Sequence, residues 1–200
     1  MKIRIGVGLG ASTADSDAFL ETVQHLEACR FDSLWLSEVL TTGVLDPLGG
    51  LAFAAGVTRK LKLGTTMTVT GRNPVRLAKE LATIDRLSRG RLLLVFVPGL
   101  TGALEDQALG VAVKERGAWI DEVLPLVRRL WSSGPVNHHG ALFCYEGLTV
   151  EPKPLQIRSR YGSAARHRVP CAVRDDWRRA GYPASSCRPK PLPGGRPSKP

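Results

Sequence analysis

Four short apolar runs constrain the fold of this chain more than any other feature. The first three are each followed by residues that start helices. The runs span residues 3–10, 33–38, 60–69 and 91–97 and have the aliphatic and β-branched composition of buried strands. After the first three come Ser16 or Asp17, Asp46-Pro47 and Asn73-Pro74, which are residue types that cap or begin helices. This alternation predicts parallel strands joined by right-handed crossovers, with both faces of the sheet covered. Two architectures fit: an open doubly wound sheet and a (β/α)8 barrel, of which four units supply half.

The chain after the fourth run predicts a long loop, one more helix and a hairpin. The helix is expected over residues 114–131, with Pro125 inside it. A proline there should kink the helix or cost about 3 kcal/mol. Residues 136–150 alternate in the manner of a hairpin that turns at His139-Gly140.

The positive charge of the chain is confined to its last quarter. Residues 1–156 hold 17 Lys and Arg against 16 Asp and Glu, a net charge of +1, whereas residues 157–200 hold 11 against 2, a net of +9. Seven of the fourteen prolines also lie after residue 156. We therefore expect an ordered domain over residues 1–156 and a disordered basic tail over residues 157–200. A non-catalytic α/β module whose tail binds nucleic acid or another polyanion remains an alternative, although nucleic acid is not the partner we favour.

Several function classes find little support in the residues. The four cysteines have no C-x-x-C spacing, and neither a signal segment nor a long apolar span opens the chain, so we expect a cytoplasmic protein with no membrane association. His138 and His139 are adjacent and lack a third ligand at a useful spacing, so a solvated turn is expected and no metal site.

A glycine pattern at the first strand offers one candidate site. Gly6, Gly8 and Ala11 fit G-x-G-x-x-A, and Glu38 ends the second strand as a ribose-binding acid would. That pattern would favour an NAD(P)-dependent dehydrogenase of the Rossmann type. The intervening residues place two aspartates where a phosphate would have to bind, so the glycines are equally explained by close backbone packing.

Polar residues at the ends of the second and third strands offer another candidate site. Glu38 is the best-placed acid, because both architectures put their sites at the carboxyl ends of the strands. Threonines 65, 66, 68 and 70, with Gly71, line the third strand and its exit, where hydroxyls would suit a flat polar ligand. Threonine is also simply a good strand former.

Four segments together carry a family resemblance. They are LGTTMTVTGRNPVRLAKELATIDRLSRGRLLL, EACRFDSLWLSE before it, and ERGAWIDEVLPLVRRLW and VEPKPLQ after it. Residues 1–156 resemble the luciferase-like monooxygenases, and most closely the members that use FMN or the deazaflavin F-420. The resemblance implies a (β/α)8 barrel, of which about four βα units are present, with a flavin-like ring at the carboxyl ends of the strands. It implies an oxidoreductase that transfers hydride or activates oxygen on a small organic substrate.

Carried over by position, the resemblance also implies the site. Glu38 would be catalytic, and the cofactor, FMN or the deazaflavin, would lie against Gly8, Ser37, Thr68, Val69, Thr70 and Gly71. The third strand's exit often has a bulge packed on the ring in this family. The chain departs from the family at Val39, where many deazaflavin members have histidine, at Val95 and Val97, where glycines are expected, and at Leu100.

The family pattern stops at Gln156, where a fifth strand should follow. A single base lost after that codon would explain the change, since the restored frame can encode a string that includes AVWLGG. A half-barrel would expose a sheet edge at its first or fourth strand, and we expect it to be marginally stable unless a homodimer completes the barrel. Little catalytic activity is then expected from this chain.

Overall fold

The computed structural model describes residues 4–10, 15–156 and 162–163. Its strands are β1 (Gly6–Leu9), β2 (Ser33–Ser37), β3 (Lys62–Thr68), β4 (Leu92–Val97), β5 (Val136–His139), β6 (Cys144–Leu148) and β7 (Gly162–Ser163). Its helices are α1 (Ser16–Ala28), α2 (Pro47–Val57), α3 (Pro74–Leu87), α4 (Ala103–Leu109) and α5 (Arg116–Leu130), with one 3-10 turn at Val113–Glu115. The four predicted strand–helix units are confirmed.

Strand order separates the two architectures that the sequence left open. The five-stranded sheet has the order β1-β2-β3-β4-β7, and every neighbouring pair is parallel. A doubly wound sheet reverses its strand order at the point where it binds nucleotides, and no reversal occurs among the strands described. The order is that of a (β/α)8 barrel represented by its first strands.

Alternation along the strands separates the helix-covered face from the other face, which we call the inner face. Leu34, Leu36, Leu63, Met67, Leu94 and Phe96 are buried in one core cluster with the helices. The inner-face residues between them, such as Gly8, Ser37 and Val95, are exposed or half-buried. The helices of the described residues thus cover one face of the sheet, because consecutive units of a barrel place their helices on the same side, and the expected cover of the inner face is not found among these residues.

Local signals placed most helix ends correctly, with exceptions. Asn73 caps α3 by accepting from the N–H groups of Val75 (2.9 Å) and Arg76 (3.1 Å). The cap of α1 is Asp15, one residue before the predicted pair, and its carboxylate accepts two backbone N–H groups at 3.0 Å. The stretch expected to be a long loop contains α4. Helix α5 includes Pro125 in its interior and runs unbroken from Arg116 to Leu130.

The hairpin and the segment after it close the described fold. Strands β5 and β6 pair antiparallel, and Gly140 donates its N–H to Phe143 across the turn (2.8 Å). Asp85, 4% exposed on α3, accepts from the N–H of Leu155 (2.7 Å) and from the N–H (3.0 Å) and side-chain amide (3.2 Å) of Gln156. These bonds hold the chain at the amino end of β4, where a fifth parallel strand would begin.

Strand β7 occupies that fifth position over two residues, which pair with Val95 and Phe96 of β4. The expected open edge at the fourth strand is therefore partly covered, whereas β1 pairs with β2 alone among the described strands. The predicted disorder and the shifted reading frame concern residues 157–200, which lie outside the described part apart from residues 162–163. No helix in the described ranges is long and apolar enough to span a membrane.

Candidate functional site

The sheet register brings the predicted site residues to one edge. Ser37 of β2 stands beside Thr66 of β3, and Thr66 stands beside Val95 of β4. One row further along, Thr68 pairs with Val97. Because these rows are the last of three parallel strands, the hydroxyls of Ser37 and Thr66 share the inner face at the carboxyl ends, where barrel enzymes place their sites.

Glu38 links the second strand to the exit of the third. Its Oε2 accepts from the N–H of Thr68 (2.7 Å), and its Oε1 pairs with the guanidinium of Arg72. Its own N–H donates to the carbonyl of Thr66 (2.8 Å), and its side chain is 3% exposed. Both carboxylate oxygens are thus engaged, and the geometry gives Glu38 a positioning role. Its catalytic assignment stays a prediction.

The exit of β3 is a tight turn rather than part of the ladder. Arg72 donates its N–H to the carbonyl of Val69 (3.2 Å), and Gly71 has φ of 77°, the conformation that the third position of a type II turn requires. A Cβ on Gly71 would also lie 3.0 Å from the carbonyl oxygen of Leu109. Pairing of β3 with β4 runs unbroken to Thr68 and the turn follows directly. The bulge that the family resemblance implies at this exit stays a prediction.

The predicted cofactor-binding residues divide by exposure. Gly8, Ser37 and Gly71 are exposed, whereas Val69 is fully buried and Thr68 and Thr70 are nearly so. The hydroxyl of Thr70 donates to the carbonyl of Pro98 (3.0 Å), which ties the exits of β3 and β4 together. A ligand at this edge could meet the first three residues directly, while the other three shape the backbone beneath it.

Helix α4 joins the exits of β2 and β4 through two buried charged residues that sequence reasoning missed. Glu105, 8% exposed, accepts from the N–H of Leu40 (2.8 Å) and the hydroxyl of Thr41 (2.8 Å). Arg116, 1% exposed, donates to the carbonyl of Leu100 (2.7 Å) and pairs with Asp106. Both residues read as ordinary surface charges in the sequence, because their partners are brought together only by the fold.

The environment of Glu105 fixes its charge. The backbone N–H of Leu40, and after it the hydroxyl of Thr41, lower the pKa of Glu105 by stabilising its ionised form. Glu105 is therefore a carboxylate at neutral pH, and the loop after β2 stays attached to α4 under those conditions.

Trp35 explains why two inner-face positions are glycine. A Cβ on Gly64 would lie 2.4 Å from the indole ring, and a Cβ on Gly6 would lie 2.5 Å from the Oγ of Ser33 and 3.1 Å from the ring. The indole N–H donates to the Ser33 hydroxyl (3.0 Å). The packing explanation therefore holds for Gly6, whereas a Cβ on Gly8 would meet no atom within 4 Å in the described part of the chain. Ala11, the last position of the dinucleotide pattern, lies outside the described residues.

His138 and His139 are the last two residues of β5 and not the solvated turn that the sequence predicts, and each contacts a carboxylate. His138 contacts the carboxylate of Glu122 on α5 (3.1 Å), and that carboxylate also accepts the N–H groups of Leu142 and Phe143. His139 is the last residue of β5 and pairs with Glu146 (2.8 Å). Among the residues that the structure describes, no group of three or more metal-ligating side chains could hold an ion.

Comparison with known proteins identifies the group to which this geometry belongs. The family model described as luciferase-like monooxygenase matches residues 1–171, which extends past Gln156. The oxygenase component of the flavin-dependent trigonelline monooxygenase of Acinetobacter baylyi is 28% identical over 145 residues, 70% of this chain and 40% of that protein. The F420-dependent glucose-6-phosphate dehydrogenase of Segniliparus rotundus is 31% identical over 176 residues, 82% of this chain and 52% of that protein.

A solved structure agrees on the fold. The monooxygenase RslO1 from Streptomyces bottropensis superposes with a TM-score of 0.71 at 24% identity, covering 80% of this chain and 53% of that one. The chain thus spans about half the length of the proteins it matches. With a family match over most of its length and the strand order of the barrel, this chain belongs to the luciferase-like monooxygenase family.

Proposed function

We propose that this chain supplies the first four βα units of a flavin- or deazaflavin-dependent oxidoreductase that acts on a small organic substrate. The observation that carries the proposal is the gathering of Gly8, Ser37 and the turn after β3 at one edge of the sheet. When bound there, FMN or the deazaflavin would supply hydride transfer or oxygen activation. The two relatives described above are named for one cofactor class each, so both remain part of the proposal.

The exposed part of this edge suits a flat ring. Gly8 leaves space above β1 among the described residues, since a Cβ there would meet none of their atoms within 4 Å. Ser37 is exposed and Thr66 is half-buried in the adjacent row, so their hydroxyls can offer hydrogen bonds beside that space. Val95 and Val97 form the apolar border on β4. Residues with these properties can hold a planar, partly polar ring without any change in the backbone.

Glu38 contributes to this site by holding the β3 exit in place. Its carboxylate binds the N–H of Thr68, the last residue of β3, and thereby fixes where the turn that contains Gly71 begins. Arg72, 25% exposed, neutralises the carboxylate, so the pair adds little net charge where a flavin ring would lie. Preorganised backbone of this kind is what a ring-binding edge requires.

Cofactor binding by the full chain tests the proposal. FMN and the deazaflavin are titrated separately, with quenching of their fluorescence as the signal. We expect at least one to bind, and expect Gly8→Leu to weaken it by about tenfold, because a leucine would fill the open space above β1. Gly117→Leu is the matched control, since a Cβ on Gly117 also meets no atom within 4 Å but lies on α5. Binding of neither cofactor, or equal binding by the Gly8→Leu variant, would contradict the proposal.

Low turnover and self-association form part of the same proposal. Four strands of an eight-stranded barrel provide one side of a central site, so we expect the isolated chain to turn over slowly. A homodimer would cover the inner face and supply a second side. Light scattering and turnover measured on the same sample test both points, and a stable monomer with normal turnover would exclude them.

A further inference from the structure

Three exposed leucines stand at the rim of the carboxyl edge. They are Leu40 in the loop after β2, Leu100 in the loop after β4, and Leu104 on α4, with exposed fractions of 47%, 55% and 67%. We refer to these three residues as the apolar lip. Single exposed leucines are common on proteins and need no explanation. Larger exposed apolar surfaces mark interaction sites or ligand-binding grooves.

Glu105 holds two members of the lip. It follows Leu104 directly in α4, and its carboxylate accepts the backbone N–H of Leu40 and the hydroxyl of Thr41. The loop after β2 is thereby fixed next to α4, although the two segments are separated by about sixty residues in the chain. The carboxylate that makes these bonds is 8% exposed, so a buried charge attaches the backbone of Leu40 to α4, the helix that carries Leu104.

Arg116 holds the third member in the same way. Its guanidinium donates to the carbonyl of Leu100 (2.7 Å), to that of Val111 (3.3 Å), and pairs with Asp106, the residue after Glu105. Arg116 is 1% exposed. Burying a charged group is unfavourable unless it is compensated. Glu105 accepts two hydrogen bonds, and Arg116 is both hydrogen-bonded and paired with Asp106. Two buried charged residues therefore hold the backbone segments that carry three solvent-exposed leucines.

Below the apolar lip, the inner face of β4 also carries apolar side chains. The arginines described at the strand exits are paired with carboxylates. Val95 and Val97 are half-buried on the inner face of β4, just before the loop that carries Leu100. Arg72 pairs with Glu38, and Arg116 pairs with Asp106. In the described part of the chain, Arg72 and Arg116 at these exits are thus bound to carboxylates, which leaves them less available to a phosphate or sulfonate group.

We infer that the substrate which enters over this rim is an apolar organic molecule, whose hydrocarbon body contacts the lip and the valines below it. This inference rests on the proposed function, because it names the substrate class of the same site. A sugar phosphate or other anion would meet leucine side chains and paired arginines at the rim. A second copy of this chain, seated on the lip, is the competing occupant that the experiment must separate.

Binding of 1-octanol by the full chain without cofactor tests the inference. Tryptophan fluorescence reports it, because Trp35 is half-buried on the inner face. We expect saturable binding, and expect the double variant Leu100→Gln/Leu104→Gln to raise the Kd by about fivefold through lost apolar contact. Leu87→Gln and Leu155→Gln are matched controls, since these leucines are 58% and 53% exposed at the opposite end of the strands. Their Kd should equal that of the parent chain.

Three results would overturn the inference. They are absence of octanol binding, an unchanged Kd in the lip double variant, or tighter binding of glucose 6-phosphate than of octanol. A lip variant that lowers the mass measured by light scattering, with the octanol Kd unchanged, would assign the lip to a second copy instead. The cofactor titrations are separate, so octanol binding that depends on the lip, together with failure to bind either cofactor, would refute the proposed function alone.

Discussion

The contact between Glu38 and the exit of β3 allows a quantitative prediction. Replacing Glu38 by alanine leaves the N–H of Thr68 without its acceptor and Arg72 without its nearer carboxylate. Thr68 is 6% exposed, so the unpaired N–H costs about 1–3 kcal/mol. Arg72 is a quarter exposed, so solvent screens the ion pair and its loss adds about 1 kcal/mol or less. We expect Glu38→Ala to lower the free energy of unfolding by about 3 kcal/mol.

A double-mutant cycle measures the two contributions in urea unfolding of the full chain. Arg72→Ala should cost about 1–2 kcal/mol, because it leaves the buried Glu38 carboxylate with the Thr68 N–H alone. The double variant should cost about 1 kcal/mol less than the sum of the single variants, which is the coupling energy of the pair. A coupling near zero, or a cost below about 0.5 kcal/mol for Glu38→Ala, would refute the assignment of a positioning role.

Cofactor affinity separates positioning by Glu38 from direct catalysis. If Glu38 positions the turn after β3, Glu38→Gln and Arg72→Ala should both weaken cofactor binding, since either change loosens the same contact. If Glu38 instead transfers a proton, Glu38→Gln should abolish turnover with cofactor affinity intact, and Arg72→Ala should leave most of the turnover. The second pattern would return Glu38 to the catalytic role that the family resemblance implies.

Three further predictions follow from buried contacts elsewhere. The pKa of Glu105 is lowered from 4.5, so its hydrogen bonds stabilise the fold above that pH and are lost as pH falls through the lower folded value. Glu105→Gln should therefore make the urea concentration at the unfolding midpoint fall less steeply between about pH 5 and 3. Gly64→Ala should lower the free energy of unfolding by about 1–3 kcal/mol, because the added methyl group displaces Trp35. Gly117→Ala on α5, where the described residues leave room for a Cβ, should raise it by about 0.5 kcal/mol. Thermal unfolding measures both changes. Asp85→Ala removes three hydrogen bonds to the segment after the hairpin and should cost about 3 kcal/mol in urea, with faster amide exchange in that segment.

The strands and most helix starts could be predicted because their signals are local. Asn73-Pro74 and Asp46-Pro47 combine a capping side chain with a proline whose φ suits the first helical turn, and both caps form as expected. The seven residues of Ala103–Leu109 are too few to show a helical period, and that helix is held by tertiary contacts instead. Its prediction as a loop followed from the absence of a local signal.

The inner details of the site depend on register and could not be predicted. Nothing in the sequence indicates that Trp35 lies over Gly64, because that contact requires β2 and β3 to pair with these two residues side by side. Charged residues are expected at the surface by default, so the burial of Glu105 and Arg116 has no signal in a single sequence. The sequence placed Glu38 at the correct strand end, but its engagement by Arg72 follows from the turn geometry.

The two edge strands of the sheet differ in how readily another chain could pair with them. Strand β4 is LLLVFV, which pairs readily, and it is the edge that β7 partly covers. Strand β1 is only four residues long and includes Gly6 and Gly8, which weakens it as a template for another chain. The open edge at β1 is therefore the poorer surface for pairing. The inner face, where Trp35 and the β4 valines are half-buried, has apolar side chains that a partner would bury. We accordingly expect two copies of this half-barrel to associate through their inner faces and not through β1.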